Sequence, residues 1–159
     1  MNTLLRTEAL DLGHGDRTLV RGVHMRVAAG ELVALIGVNG CGKSTLLRTL
    51  AGLHPPLGGV VLLDGRPLRT LSAVERARHM AMVLTARPQV GLLDVRTLVS
   101  LGRQPWTGHM GRLSEADERH VVEAMDRTEV AHLQRRSVDM LSDGERQKVM
   151  IARALAQDA

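Results

Sequence analysis

The sequence predicts an α/β fold in which a buried strand, a glycine-rich loop and a helix follow one another without a gap. Three observations predict it. Leu32 to Ile36 is an unbroken apolar run of strand length, the pattern of a parallel strand covered on both faces. Gly37-Val38-Asn39-Gly40-Cys41-Gly42-Lys43-Ser44-Thr45 comes next, with three glycines in six residues. Leu47, Leu50 and Ala51 then recur at helical spacing.

Gly37, Gly42, Lys43 and Ser44 fit the phosphate-loop pattern G-x-x-x-x-G-K-[ST], in the strand-to-helix context that this pattern needs. The fold expected is therefore that of a P-loop NTPase. The glycines let successive backbone N–H groups turn inward on an anion, and the helix starting near Lys43 adds its positive end. Lys43 is expected to reach the terminal phosphates of a nucleotide, and the Ser44 hydroxyl to sit on the magnesium ion that accompanies them.

The 159 residues suffice for one domain with a real core, and 44% hydrophobic with 24% charged residues is the composition of an ordinary globular protein. Trp106 is the only residue among Phe, Trp and Tyr. Any ring-stacking task falls to it or to a histidine. A net charge of +4 suits an anionic partner, but the arginines are scattered and no aromatic residues interleave with them, which argues against nucleic acid. The single cysteine, Cys41, excludes an internal disulfide and fits a reducing compartment. No apolar run reaches the roughly 18 residues of a membrane span, and the N-terminus has no signal-peptide pattern.

Ahead of the loop, Leu10 and Leu12 flank Asp11, and Val23, Met25 and Val27 alternate with polar residues. With Gly13-His14-Gly15-Asp16 as the turn, this period-two pattern predicts a small antiparallel sheet. After the loop helix, His54-Pro-Pro-Leu-Gly-Gly breaks the chain, Val60 to Leu63 reads as a strand, and Asp64-Gly65 as a hairpin turn. Ser72 with Glu75 has capping-box spacing for a helix through about His79, followed by a second core strand over Met80 to Leu84. Asp94 caps a helix with Val95, Leu98 and Val99 on one face, stopped by Gly102. Ser114 and Asp117 open a longer helix with Val121, Val122 and Met125 on its apolar side. Leu141-Ser142-Asp143-Gly144-Glu145 opens the last helix, which turns Val149, Ala152 and Ala156 to one side.

A phosphate loop followed about a hundred residues later by Leu-Ser-Asp-Gly-Glu resembles the nucleotide-binding subunit of ATP-binding-cassette (ABC) transporters. The second motif is similar to that family's signature, Leu-Ser-Gly-Gly-Gln, with Asp143 and Glu145 substituted. Val83-Leu-Thr-Ala-Arg-Pro and Leu98-Val-Ser-Leu-Gly-Arg-Gln-Pro-Trp look like segments of subunits that energise importers of iron-siderophore, haem or vitamin B12-type complexes. The resemblance implies an ATPase that binds ATP and Mg2+ and pairs with a second copy, so that Leu141 to Glu145 of one subunit face the nucleotide of the other. Ser142 and Gly144 would be ligands in trans. It implies permease subunits in the membrane as partners, a substrate-binding protein indirectly, and a peripheral location on the cytoplasmic face of the membrane. A turn residue ahead of the loop would stack on adenine, and His14 stands there, as either that residue or a plain turn residue. Thr85 occupies the position at which many relatives carry a glutamine that contacts magnesium and the permease; Gln89 is the alternative.

By the same resemblance the chain divides into a β-rich and phosphate-loop core over 1–93, a helical subdomain over 94–140 and the signature helix over 141–159. The segments that carry the family's magnesium-binding aspartate, catalytic glutamate and switch histidine lie beyond that helix, and flanking core strands are missing. The expectations are then an incomplete fold with apolar surface left open, a truncated reading frame or partial gene model, and negligible hydrolysis by this chain alone. A product that only binds nucleotide, a nonfunctional fragment, and a soluble ABC ATPase without a transport role are the alternatives.

Overall fold

A computed structural model describes residues 3–83, 92–108 and 111–159, which fall into two compact units, 1–76 and 77–159.

In the first unit, β1 (Thr3–His14) and β2 (Arg17–Ala28) form the predicted antiparallel hairpin, with His14 opposite Arg17 across the two-residue turn Gly15-Asp16. β3 (Gly58–Leu63) joins the other edge of β1, pairing Thr7 with Val61, and β4 (Arg66–Pro67) follows after the Asp64-Gly65 turn. The strand order is β2-β1-β3-β4. Alternation buries Leu10, Leu12, Val61 and Leu63 on one side, where α1 (Lys43–Leu50) packs against β1. The buried side of α1 carries Thr45, Leu46, Thr49 and Leu50, whereas Leu47 is exposed. The Leu47, Leu50 and Ala51 face expected from spacing is thus rotated toward Leu46. In so short a helix two apolar stripes fit the same residues, and contact with the sheet selects one.

Leu32 to Ile36 does not form the expected buried strand. Residues 31–38 take no regular structure, and Leu32 and Ile36 are 96% and 91% exposed. The reason is pairing. A strand exists only with a neighbour that accepts its N–H groups and supplies its carbonyl partners, and among the described residues none lies alongside this run. Open apolar surface around the phosphate-loop segment was expected, and it is found here. Met80 to Val83 likewise form no ladder, and Leu84, the last residue of that second expected strand, lies outside the described residues.

α2 (Ala73–His79) begins at the predicted capping box, in which the Ser72 N–H donates to Glu75 at 2.8 Å and the Glu75 N–H donates to the Ser72 hydroxyl at 3.1 Å. The two hydrogen bonds with Ser72, the backbone N–H's first and then the hydroxyl's, and after them the nearby Arg66 guanidinium hold the Glu75 carboxyl below its ordinary pKa.

The second unit is helical. α3 (Val95–Ser100), α4 (Glu115–Arg127) and α5 (Asp143–Gln157) pack together around Val95, Leu98, Val99, Val121, Met125, Val149 and Ala152. Val122 is exposed, and Ala124 takes the core position expected of it. Each N-cap is the predicted one: Asp94 accepts from the Thr97 N–H at 2.7 Å, and Ser114 and Ser142 form full capping boxes with Asp117 and Glu145. Gly102 does not stop α3, because a single 3₁₀ turn, Leu101–Arg103, continues it. A side chain at Gly102 would overlap the Arg153 carbonyl, so glycine serves here to let α5 come close. Among the described residues no helix is long and apolar enough to cross a membrane.

Candidate nucleotide site

The phosphate loop closes on its own lysine. Gly40 and Gly42 take φ values of +83° and +98°, which a side chain would resist, and Gly42 is the N-cap of α1. The Lys43 Nζ donates to the carbonyls of Gly37 at 2.6 Å and Val38 at 2.7 Å, with Cys41 Sγ at 3.9 Å. Ser44 and Cys41 are exposed, and Thr45 is buried under the turn.

The start of α1 differs from those of the other capped helices. α3, α4 and α5 have an Asp or Ser side chain on their first N–H groups, and the last two add acidic residues in the first turn. At α1 no side chain caps the helix and the first turn holds no acidic residue. Its free N–H groups and positive end therefore lie open to an anion supplied from outside, beside one ammonium and the Ser44 hydroxyl. Among the described residues no group of three or more His, Cys, Asp or Glu is arranged to hold a metal ion. Magnesium asks less of a protein. It keeps water ligands and takes others from phosphates, so the exposed Ser44 hydroxyl fits the role of its protein ligand.

His14 lies next to this helix. Its Nε2 is 3.4 Å from the Thr45 hydroxyl, and its ring lies 4.6 Å from that of His54, tilted by 59°. In the sequence His54 stands only as part of a chain-breaking cluster, and no local spacing betrays its contact with a residue forty positions earlier. Trp106, the other ring considered, is engaged in the second unit. Its indole N–H donates to the Gln157 carbonyl at 2.7 Å, and the Arg78 and Arg103 guanidinium groups lie 4.9 and 5.4 Å from its ring centre.

The signature residues start α5. Leu141 is buried, Ser142 is the N-cap, and Asp143 and Gly144 are exposed in the first turn. The Glu145 carboxylate accepts from both the Ser142 N–H at 2.8 Å and its hydroxyl at 2.7 Å. These bonds, the hydroxyl's first, then Arg136 and His132 nearby, lower its pKa. Thr85 and Gln89 lie outside the described residues. A buried pair went unforeseen in the same unit: the Arg103 Nε donates to Asp117 at 2.8 Å, and its Nη1 to the Ala156 carbonyl at 2.9 Å. Local spacing shows Asp117 only as a cap partner.

Residues 20–159 match the sequence profile of the ABC transporter family. The chain belongs to that family. It is 41% identical over 154 residues to a ferric enterobactin transport ATP-binding protein of Escherichia coli, covering 97% of this chain and 57% of the relative. It is 39% identical over 157 residues to an iron(3+)-hydroxamate import ATP-binding protein of Bacillus subtilis, covering 99% and 58%. Identity with a hemin import ATP-binding protein of Streptomyces coelicolor is 45% over 145 residues, covering 91% and 51%. The chain thus spans little more than half the length of the curated relatives it matches. Among solved structures, an ATP-binding subunit of an ABC transporter superposes with a TM-score of 0.82 at 28% identity, covering 96% of this chain and 62% of that one. The fold is that of an ABC ATPase, represented in part: an antiparallel β portion and helices are present, and the relatives extend beyond what this chain covers.

Proposed function

We propose that this chain is the nucleotide-binding part of an ABC importer subunit, which couples binding and hydrolysis of Mg-ATP to uptake of an iron-siderophore, haem or cobalamin-type complex. The observation that carries the reading is the uncapped, acid-free start of α1 beside Lys43. The printed functions of the siderophore and hemin relatives support the iron and haem cargo. Gly37 to Thr45 would hold the triphosphate, His14 the base, and Ser44 the magnesium ion, which neutralises charge on the terminal phosphates. Lys43 would leave the Gly37 and Val38 carbonyls for phosphate oxygens, trading neutral acceptors for charged ones. Leu141 to Glu145 would face the nucleotide of a second copy, with permease subunits as further partners at the cytoplasmic face of the membrane.

Titration of the chain with ATP tests this. We expect saturable binding that weakens about tenfold or more in Lys43→Ala, with an unchanged melting temperature, because the lysine's partners all belong to the same exposed loop. Equal affinity in the variant would refute the assigned role. Phosphate release measured alongside separates a hydrolysing chain from one that only binds.

A further inference from the structure

We propose that His54 is a positioning residue for the nucleotide base: it fixes His14 against α1, so that the His14 imidazole is held in place to stack on a purine ring. The inference rests on the phosphate-loop reading above.

The first unit contains no Phe, Tyr or Trp, and its only rings are His14, His24 and His54. His24 is drawn to the middle of the hairpin, where its Nδ1 accepts from the Ala9 N–H at 3.5 Å. That leaves His14, which stays exposed at the hairpin end nearest the phosphate loop, with its Nε2 at the Thr45 hydroxyl. An isolated imidazole is a small stacking surface on a turn that can swing. His54 restrains that turn.

Its Nε2 lies 2.8 Å from the Gly13 carbonyl. A carbonyl only accepts, so this nitrogen is the one that carries a proton and donates. The bond holds the residue immediately before His14, while the His54 ring rests on the His14 ring at 4.6 Å. The segment bearing His54 is itself secured at both ends: the Leu53 N–H donates to the Arg48 carbonyl at the end of α1, and the Leu57 N–H donates to the Asp11 carbonyl of β1, each at 2.9 Å. His14 is therefore held through Thr45 from the start of α1 and through His54 from just beyond its end. A ring fixed in this way loses little freedom when a base settles on it.

The experiment compares ATP with tripolyphosphate, which has the phosphates and no base, by equilibrium titration of the 159-residue chain. His54→Ala is expected to weaken ATP about threefold to tenfold while tripolyphosphate affinity holds. His54→Gln, which keeps an N–H donor for the Gly13 carbonyl, should recover part of the loss. If His54 acts through His14, the double variant His14→Ala/His54→Ala binds ATP no more weakly than His14→Ala alone. An unchanged ratio of the two affinities in His54→Ala, a parallel fall of both ligands, or additive losses in the double variant would overturn the proposal. Lys43→Ala separates the two levels of the argument. Loss of both ligands there upholds the phosphate site whatever His54 does, and no loss of either removes the site and this inference together.

Discussion

Val149 and Ile36 are both aliphatic residues with apolar neighbours in sequence, yet the first is fully buried and the second is 91% exposed. The difference lies in what each region asks of the rest of the chain. The helices of 77–159 satisfy their backbone groups internally and need only a covering for one face, which α3, α4 and α5 give one another. Residues 32–36 ask for much more. A parallel strand needs ladder partners on its flanks, supplied through long crossover connections, and layers over both faces. A partial chain can therefore close a helical core and still leave a central strand segment unpaired.

Breaking the closed region should have the largest effect. Arg103 and Asp117 are 5% and 6% exposed and face each other directly. Asp117→Ala leaves the guanidinium buried with only the Ala156 carbonyl, and we expect a loss of roughly 3–5 kcal/mol in urea unfolding. A loss below about 1 kcal/mol, the range of exposed ion pairs, would mean that water reaches the pair. Acid probes the same residue more gently. The Ser114 hydroxyl, the Ser114 N–H and then Arg103 lower the Asp117 pKa from 3.8 to about 2. A carboxyl whose pKa is depressed by folding adds stability above its ordinary value and loses it as pH falls through the folded value. About 2 kcal/mol should therefore disappear between roughly pH 4 and pH 2. A denaturation series over that range should show a clearly steeper fall in the chain than in Asp117→Asn, which keeps only the slope of the other carboxylates such as Glu75 and Glu145. The smallest effect belongs to the open region. Ile36→Ala should shift unfolding by less than about 0.5 kcal/mol, whereas a core-sized loss would show that this segment is covered in solution.

The same contrast explains what could be read in advance. The hairpin, the Asp64-Gly65 turn and the caps at Ser72, Asp94, Ser114 and Ser142 depend on residues within a few positions of one another, and local spacing announces them. The phosphate loop was legible for the same reason: all of its chemistry lies between Gly37 and Thr45. The missed features depend on the folded arrangement. Nothing near His54 indicates that its ring meets His14, and nothing near Asp117 indicates Arg103. Gly102 looked like a helix stop because glycine often is one, but its role is set by the Arg153 carbonyl fifty residues away. Leu32 to Ile36 has the composition of a core strand, and composition cannot supply the neighbour.

α5 is clamped at both ends: by the Ser142 and Glu145 box at its start, and near Gln157 by Trp106, Arg103 and the Gln157 amide, which donates to the carbonyls of Ala77 and Met80. A rod gripped in this way does not fray, and its fifteen residues span about 22 Å. A tug delivered at Ser142 would be passed along the rod to its opposite tip, on the last turn of α2 and Met80 just after it.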